Sequence, residues 1–158
     1  MLYSALKISH LLSVIVWLGG MVFAHFFLRP AVASLEPAPR LRLMHEVLGR
    51  FLRTVQWLVL LIVLTGGWLM GRSVRQTVQA EVGLEMPLEW MLMATLGTVM
   101  ALVFVLVRLR FYPALDQHVR SQNWPLAAAS LARIRQGVLL NIGLGTVIVV
   151  VTLAGLSS

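Results

Sequence analysis

Residues 137–156 read GVLLNIGLGTVIVVVTLAGL and contain no charged side chain. An apolar run of about 20 residues is what an α-helix needs to cross the hydrocarbon core of a bilayer. Three further runs of similar character lie upstream, at residues 2–28, 54–71 and 87–107. The sequence therefore predicts four transmembrane helices.

The composition of the whole chain agrees with this prediction. Of 158 residues, 59% are apolar and 12% are charged, and the mean hydropathy is +0.87. A soluble domain is roughly 45–50% apolar and about 25% charged, so a soluble core and a nucleic-acid partner are excluded. The chain has no cysteine, which excludes disulfides and thiolate ligands. We predict one all-α domain over residues 1–158, an antiparallel four-helix bundle whose partner is the lipid bilayer.

The distribution of basic residues predicts the orientation of this bundle. The first and third links carry ten arginines, against Lys7, Arg72 and Arg75 on the other side. The ten are Arg29, Arg40, Arg42, Arg50, Arg53, Arg108, Arg110, Arg120, Arg133 and Arg135. Because short cytoplasmic loops are enriched in Lys and Arg, we expect both termini to face outward. The first apolar run is too long for a cleaved signal peptide, so we interpret it as a true span.

Two histidines fall inside the first predicted span. His10 lies about two turns from its outer end, and His25 lies near its inner end. They are about 22 Å apart along a helix, at 1.5 Å per residue, so they cannot bind one metal ion together. An intramembrane ionisable residue suggests function, but a structural hydrogen bond explains His10 equally well. His45 and His118 fall in the links, where we interpret them as solvated surface residues.

The methionines suggest which metal ion these histidines would bind. Met91 and Met93 lie near the outer side, whereas Met21 and Met100 lie deeper and precede the level of His25. Thioether and imidazole groups are the ligands that a soft, singly charged copper ion accepts where thiolates are absent. Copper would then bind in succession to the outer methionines, His10, the deeper methionines and His25. The alternative is that these methionines only fill a membrane core, as methionine commonly does.

Small and polar residues within the spans allow two interpretations. Glycines such as Gly20, Gly66 and Gly145 let helices approach closely, but glycines on facing helices could also leave space for a flat macrocycle. Thr65 and Asn141 are expected to form hydrogen bonds between helices. Neither residue requires a cofactor to explain it.

The first helix resembles that of a known family. The segments KISH (7–10), VWLGG (16–20) and FFLRPA (26–31) are similar to the first helix of the CopD family, bacterial inner-membrane proteins associated with copper uptake and resistance. Shorter segments further along resemble the four-helix members of that family. These are GRF (49–51), TGGW (65–68), RIR (133–135) and NIGLG (141–145).

The resemblance implies a multi-pass protein of the bacterial inner membrane, in which the distribution of basic residues would place both termini in the periplasm. It would bind copper and pass it across or into the membrane, receiving it from a periplasmic copper donor. The candidate metal ligands are His10, Met91, Met93, Met21 and His25. Surface acids near the outer side would raise the local cation concentration. These acids are Glu81, Glu85 and Glu89.

A second family shares part of the first helix. HemJ-type proteins, which bind haem b and oxidise protoporphyrinogen, are similar at a few positions. The matches are Lys7, His10, Trp17, Gly20 and Arg29. That family also has a lysine early in its third helix, whereas residues 87–93 read PLEWMLM. This departure weakens the prediction of oxidase activity, so enzyme function remains an open alternative.

A bound haem b would still find candidate partners in this sequence. His10 with Met91 or Met93 would form a His/Met axial pair of the kind known in cytochromes. Lys7 and Arg72 would then pair with the haem propionates, and the protein would need a redox partner. A third hypothesis is an accessory subunit, in a homo-oligomer or a larger membrane complex, whose tryptophans anchor it at the interface. We place the copper hypothesis first.

Overall fold

The computed structural model describes residues 1–79 and 88–155, except for the side chains of residues 73, 76–79, 88, 89 and 155. Every major element there is a helix: α1 Leu2–Phe23, a π-helical turn Ala24–Leu28, α2 Arg29–Ala31, α3 Pro37–Gln79, α4 Leu88–Leu106, a second π-helical turn Val107–Phe111, α5 Tyr112–Arg120 and α6 Trp124–Gly155. Four helical segments are long and apolar enough to cross a membrane: Leu2–Ala31, Pro37–Arg72, Trp90–Arg120 and Trp124–Ala154. The prediction of an all-α fold with four membrane spans is confirmed.

The helices form two antiparallel hairpins. α1 packs on α3, α4 packs on α6, and α1 also contacts α6. One end of the bundle, which we call the terminal end, holds Leu2 and Gly155. The opposite end, which we call the basic end, holds the short connections at residues 32–36 and 121–123 together with the ten arginines.

Several sequence predictions fall on residues outside the described ranges. The predicted start of the third span at Pro87 and the predicted end of the fourth at Leu156 lie outside the described residues. Glu81 and Glu85 also lie outside them, as does the side chain of Glu89.

The surface of the bundle is apolar where a membrane would surround it. Leu64, Leu102 and Leu153 are each more than 60% exposed. A soluble protein rarely exposes contiguous apolar surface of this kind, whereas lipid tails solvate it well. Inside the bundle, the Trp17 ring meets the Phe104 ring edge to face at 6.1 Å.

At the basic end, the helices continue beyond the predicted spans. α3 begins at Pro37 rather than near residue 54, and α6 begins at Trp124 rather than near residue 137. The first half of α3 buries apolar residues at helical spacing: Leu41, Met44, Leu48 and Leu52. α5 closes this layer, where Leu115 and Ala127 are fully buried. The arginine-rich links are therefore a packed helical layer and not loops.

Both π-helical turns lie just before a proline. Ala24–Leu28 precedes Pro30 by two residues, and Val107–Phe111 precedes Pro113 by two. Proline lacks an N–H group, and its ring clashes with the carbonyl four residues back in a regular α-helix, so we attribute the widened turns to these prolines. Pro113 thus lies within the continuous helical segment Trp90–Arg120 and does not end it. Pro125 occupies the first turn of α6, where no N–H donor is needed.

Candidate functional site

His10 is hydrogen-bonded across the α1–α3 interface. Its Nδ1 atom lies 3.0 Å from the Thr65 hydroxyl oxygen. That hydroxyl is placed to donate its own hydrogen to the Leu61 carbonyl at 2.6 Å, an arrangement that favours donation from the His10 Nδ1–H group to its oxygen. In this tautomer Nε2 carries a free lone pair. An imidazole whose other N–H is held by a neighbour is the usual arrangement of a metal-ligating histidine.

A glycine on α3 provides the space for this contact. A Cβ atom at Gly66 would lie 3.1 Å from Cε1 of His10, whereas a Cβ atom at Gly67 would meet nothing within 4 Å. Thr65, directly before Gly66, is only 3% exposed. The close-approach interpretation of the glycines therefore fits Gly66, which borders the imidazole ring.

One face of α1 continues from His10 toward the basic end. Ser13, Trp17 and Met21 follow at helical spacing, and all three are buried. His25 stands one further turn along, within the first π-helical turn, and its buried Nδ1 atom has no hydrogen-bond partner in the described part of the chain. Two of the predicted metal ligands, Met21 and His25, thus share a face with His10.

Polar and sulfur groups from α4 and α6 meet this face midway along the bundle. Asn141 Nδ2 donates to the Met100 carbonyl at 3.2 Å, which confirms the predicted interhelical hydrogen bond. Among the described residues, Asn141 Oδ1 is buried without a partner. A Cβ atom at Gly145 would contact both Met100 Cε and Leu18 Cδ1. Met100 therefore lies near Leu18 of α1.

The two outer methionines point in different directions. Met93 Sδ accepts a hydrogen bond from the Thr152 hydroxyl at 3.1 Å, so it faces α6. Met91 is 53% exposed. Residues two apart on a helix lie on nearly opposite sides, so these methionines are not brought together on one interior face.

Lys7 and Arg72, the predicted partners of haem propionates, lie near the terminal end of the bundle. The Arg72 guanidinium lies 5.2 Å from the ring centroid of Tyr3 and 5.7 Å from that of Trp68. This stacking ties α3 to the first turn of α1 through cation–π contacts. Lys7 is exposed.

Comparison with protein families identifies the chain. The family described as copper resistance protein D matches residues 45–155 of the 158. The chain belongs to the CopD family. It is therefore a multi-pass membrane protein of a copper-resistance family, as the resemblance implied. No curated protein and no solved structure matches it, and no comparison supports the likeness to HemJ-type proteins.

The CopD match covers only part of the candidate site. It includes Thr65, Gly66 and Met100, which α3 and α4 supply, and also Asn141 of α6, which packs beside Met100. It begins after α1, so His10 lies outside the matched range. The placement of His10 in this CopD protein therefore rests on the structure itself.

The ligand chemistry available to a metal is narrow. No three His, Cys, Asp or Glu side chains come together among residues 1–79 and 88–155. The ligand groups that follow one another along the α1 face are the imidazoles of His10 and His25 and the sulfur of Met21. This set favours a soft ion such as Cu(I) over hard divalent cations.

A second histidine site lies in the basic end. His45 Nε2 lies 2.8 Å from Asp116 Oδ1, and the other carboxylate oxygen lies 2.9 Å from Arg120 Nε. The Tyr112 ring stacks on the His45 ring, with centroids 5.4 Å apart and planes 4° from parallel. This cluster joins α3 to α5.

The sequence predicted that His45 and His118 are solvated surface residues, and this prediction is wrong. His118 Nδ1 lies 3.0 Å from the Ser130 hydroxyl, which joins α5 to α6. Both histidines are half-buried and bonded across helices. The only sequence signal for the His45 cluster is that Tyr112, Asp116 and Arg120 recur every four residues, on one face of α5.

Proposed function

We propose that this CopD-family protein binds a singly charged copper ion through Nε2 of His10 and moves it from the terminal end into the membrane. The observation that carries the proposal is the hydrogen-bond chain from His10 Nδ1 to Thr65 and on to the Leu61 carbonyl. It favours the tautomer in which Nδ1 donates and Nε2 is the free nitrogen. Thr65 then holds the imidazole ring in place through the nitrogen that does not bind the ion.

The neutrality of the surrounding groups supports this choice of cargo. Imidazole, thioether and hydroxyl groups carry no charge, so a site made from them adds only the charge of the ion to the membrane interior. A carboxylate ligand in the bilayer would be costly without a partner. Copper is the ion of the family's name, and its reduced form prefers such soft, neutral ligands.

The face of α1 that begins at His10 suggests the route inward. His10 and Met21 are about 16 Å apart along the helix, at 1.5 Å per residue. This distance is too long for an ion to pass directly from one side chain to the other. The indole of Trp17 lies between them on the same face and offers an aromatic surface that attracts cations. Met21 and Met100 then lie midway, and His25 lies near the basic end. We propose that the terminal end faces the periplasm, where a copper donor would deliver the ion.

Competition titration of the purified protein tests the binding step. The protein in lipid nanodiscs is titrated with Cu(I) against a chromophoric chelator, and His10→Ala and Thr65→Val are measured beside the wild type. We expect His10→Ala to abolish one binding site. Thr65→Val, which keeps the shape but loses the acceptor, should weaken that site about 10–100-fold, as loss of a second-shell partner does.

Two results would contradict the proposal. One is an unchanged Cu(I) affinity in His10→Ala, with circular dichroism showing an intact helical fold. The other is an absorption spectrum of the purified protein with a Soret band and matching iron, which would assign His10 to haem b.

A further inference from the structure

A surface pocket lies at the basic end, apart from the copper route. It has a volume of about 320 Å³ and lies between the second π-helical turn, α5 and α6. Two arginines, Arg110 and Arg133, line it together with the polar residues Gln117 and Ser130. Apolar residues complete the lining: Leu109, Phe111, Pro113 and Ala114.

The pocket carries positive charge that is not neutralised by the described residues. Only three acids lie in the sequence of the basic end, and two of them pair with other arginines, Glu46 with Arg50 and Asp116 with Arg120. Neither Arg110 nor Arg133 forms an ion pair within the described ranges. Two guanidinium groups in one pocket with no carboxylate favour a phosphate ligand, whose oxygens match the guanidinium fork.

The depth of the pocket matches the plane of lipid headgroups. Arg110 follows Trp90, the start of its membrane segment, by about 30 Å, and Arg133 precedes Ala154 by about 32 Å, at 1.5 Å per residue. The hydrocarbon core of a bilayer is about 30 Å thick. Both arginines therefore lie about one hydrocarbon-core thickness from the terminal end of the bundle. At that depth the phosphates of the lipid leaflet at the basic end begin.

An apolar path leads from the membrane into the pocket. Leu102, Leu106 and Leu109 lie on one face of the α4 segment, and all three are exposed. Leu109, which is 70% exposed, is also part of the pocket lining. A molecule that has a phosphate group attached to long acyl chains fits both features at once.

We propose that this pocket binds the phosphate of an anionic phospholipid in the leaflet at the basic end. Arg110 and Arg133 bind the phosphate oxygens, Gln117 donates to the headgroup, and the acyl chains lie along the leucine face. Basic pockets at the cytoplasmic side of membrane helices bind anionic headgroups in this way. The proposal does not depend on copper binding.

Native mass spectrometry of the whole protein released from nanodiscs tests the proposal. The nanodiscs contain equal amounts of phosphatidylglycerol and phosphatidylethanolamine. We expect the wild type to retain one phosphatidylglycerol in preference to phosphatidylethanolamine, because the second lipid adds an ammonium group that two guanidinium groups repel. The double variant Arg110→Gln/Arg133→Gln should lose most of this preference, about tenfold in the ratio of retained lipids, since it removes both the charge-assisted contacts to phosphate and that repulsion.

A matched control separates the pocket from net charge. Arg29→Gln/Arg135→Gln removes the same charge from the basic end, but neither residue lines the pocket. It should retain phosphatidylglycerol like the wild type. Equal loss in both double variants would overturn the proposal, as would full retention in the pocket variant.

Thermal unfolding in detergent distinguishes a lipid from a free anion. Phosphatidylglycerol added to the micelles should raise the unfolding temperature of the wild type more than that of the pocket variant. Inorganic phosphate at the same concentration should not reproduce the shift, because it lacks the acyl chains. Equal shifts with inorganic phosphate would overturn the assignment to a lipid. Far-UV circular dichroism of each variant confirms that its helices remain folded.

Discussion

His10 and His45 are both hydrogen-bonded across helices, but their partners differ in charge. His10, within the first span, is held by the neutral hydroxyl of Thr65. His45, in the basic end, is held by the carboxylate of Asp116. A carboxylate buried in a membrane is costly, so a neutral partner is the one that the surroundings of His10 allow.

The partner also decides which nitrogen remains available. At His10 the bonded atom is Nδ1, and Nε2 is left for a ligand. At His45 the bonded atom is Nε2 itself, with the Tyr112 hydroxyl 3.3 Å from the same nitrogen. Both histidines join two helices, but only His10 keeps the nitrogen that the proposed copper site uses. Four predictions test this difference, from the largest expected effect to the smallest.

Alanine at the two histidines should give opposite results in copper binding. His10→Ala removes the ligating nitrogen, and we expect the Cu(I) affinity of that site to fall by more than about 100-fold, a larger loss than that of a second-shell partner. His45→Ala should leave it unchanged. Chelator competition on both proteins provides the measurement. A loss of similar size in His45→Ala would mean that the two sites are coupled.

Removing the carboxylate should affect stability and spare copper binding. Asp116→Ala leaves His45 and Arg120 without their acceptor, and we expect the free energy of unfolding to fall by about 1–3 kcal/mol. The lower part of that range is the better estimate, since the carboxylate is 28% exposed and partly screened. Unfolding in mixed micelles measures the change. An unchanged stability would show that the cluster contributes little to the basic end.

Two adjacent glycines offer a matched pair for the His10 ring. Gly66→Ala places a methyl group against Cε1 of His10, whereas Gly67→Ala meets open space. Each substitution favours the helix by up to about 1 kcal/mol, so propensity cancels in the comparison. We expect Gly66→Ala alone to weaken Cu(I) binding, by about tenfold or less if the ring shifts by a few tenths of an ångström. Equal affinities in both variants would show that ring position is not critical.

Asn141 gives the reference for a buried polar group that serves packing alone. Asn141→Leu removes the hydrogen bond to the Met100 carbonyl, and bonds between membrane helices contribute about 0.6 kcal/mol on average. Stability should change by no more than about that amount, since the substitution also removes the unpaired buried oxygen. Copper affinity should stay the same. A large drop in affinity would place Asn141 on the ion route.

The four spans followed from the sequence because a run of about 20 apolar residues has few other stable environments. The helical layer at the basic end did not, since its buried residues alternate with arginines that lower the mean hydropathy. Leu41, Met44, Leu48 and Leu52 do carry helical spacing, and that spacing is the signal that a hydropathy window averages away.

The sequence predicted which residues belong to the candidate site but not which of them are in contact. His10 and Thr65 were both singled out, yet they are 55 positions apart, and their pairing depends on how α1 is rotated against α3. His45 and Asp116 are 71 positions apart. Hydropathy gives the depth of a residue in the bilayer, whereas the rotation of each helix comes from side-chain packing.

The second π-helical turn also sets the phase of the helix that contains it. Val107 and Leu115 are both buried, although they are eight residues apart, whereas two turns of a regular α-helix take about seven. The widened turn absorbs the extra residue, so that the membrane half and the basic half of this helix each keep an inward face. Deleting one residue within Val107–Phe111 would place Val107 and Leu115 seven positions apart, so a regular α-helix would keep both of them facing inward. Inserting a further residue there would instead turn Leu115 by about 100° away from the layer it fills.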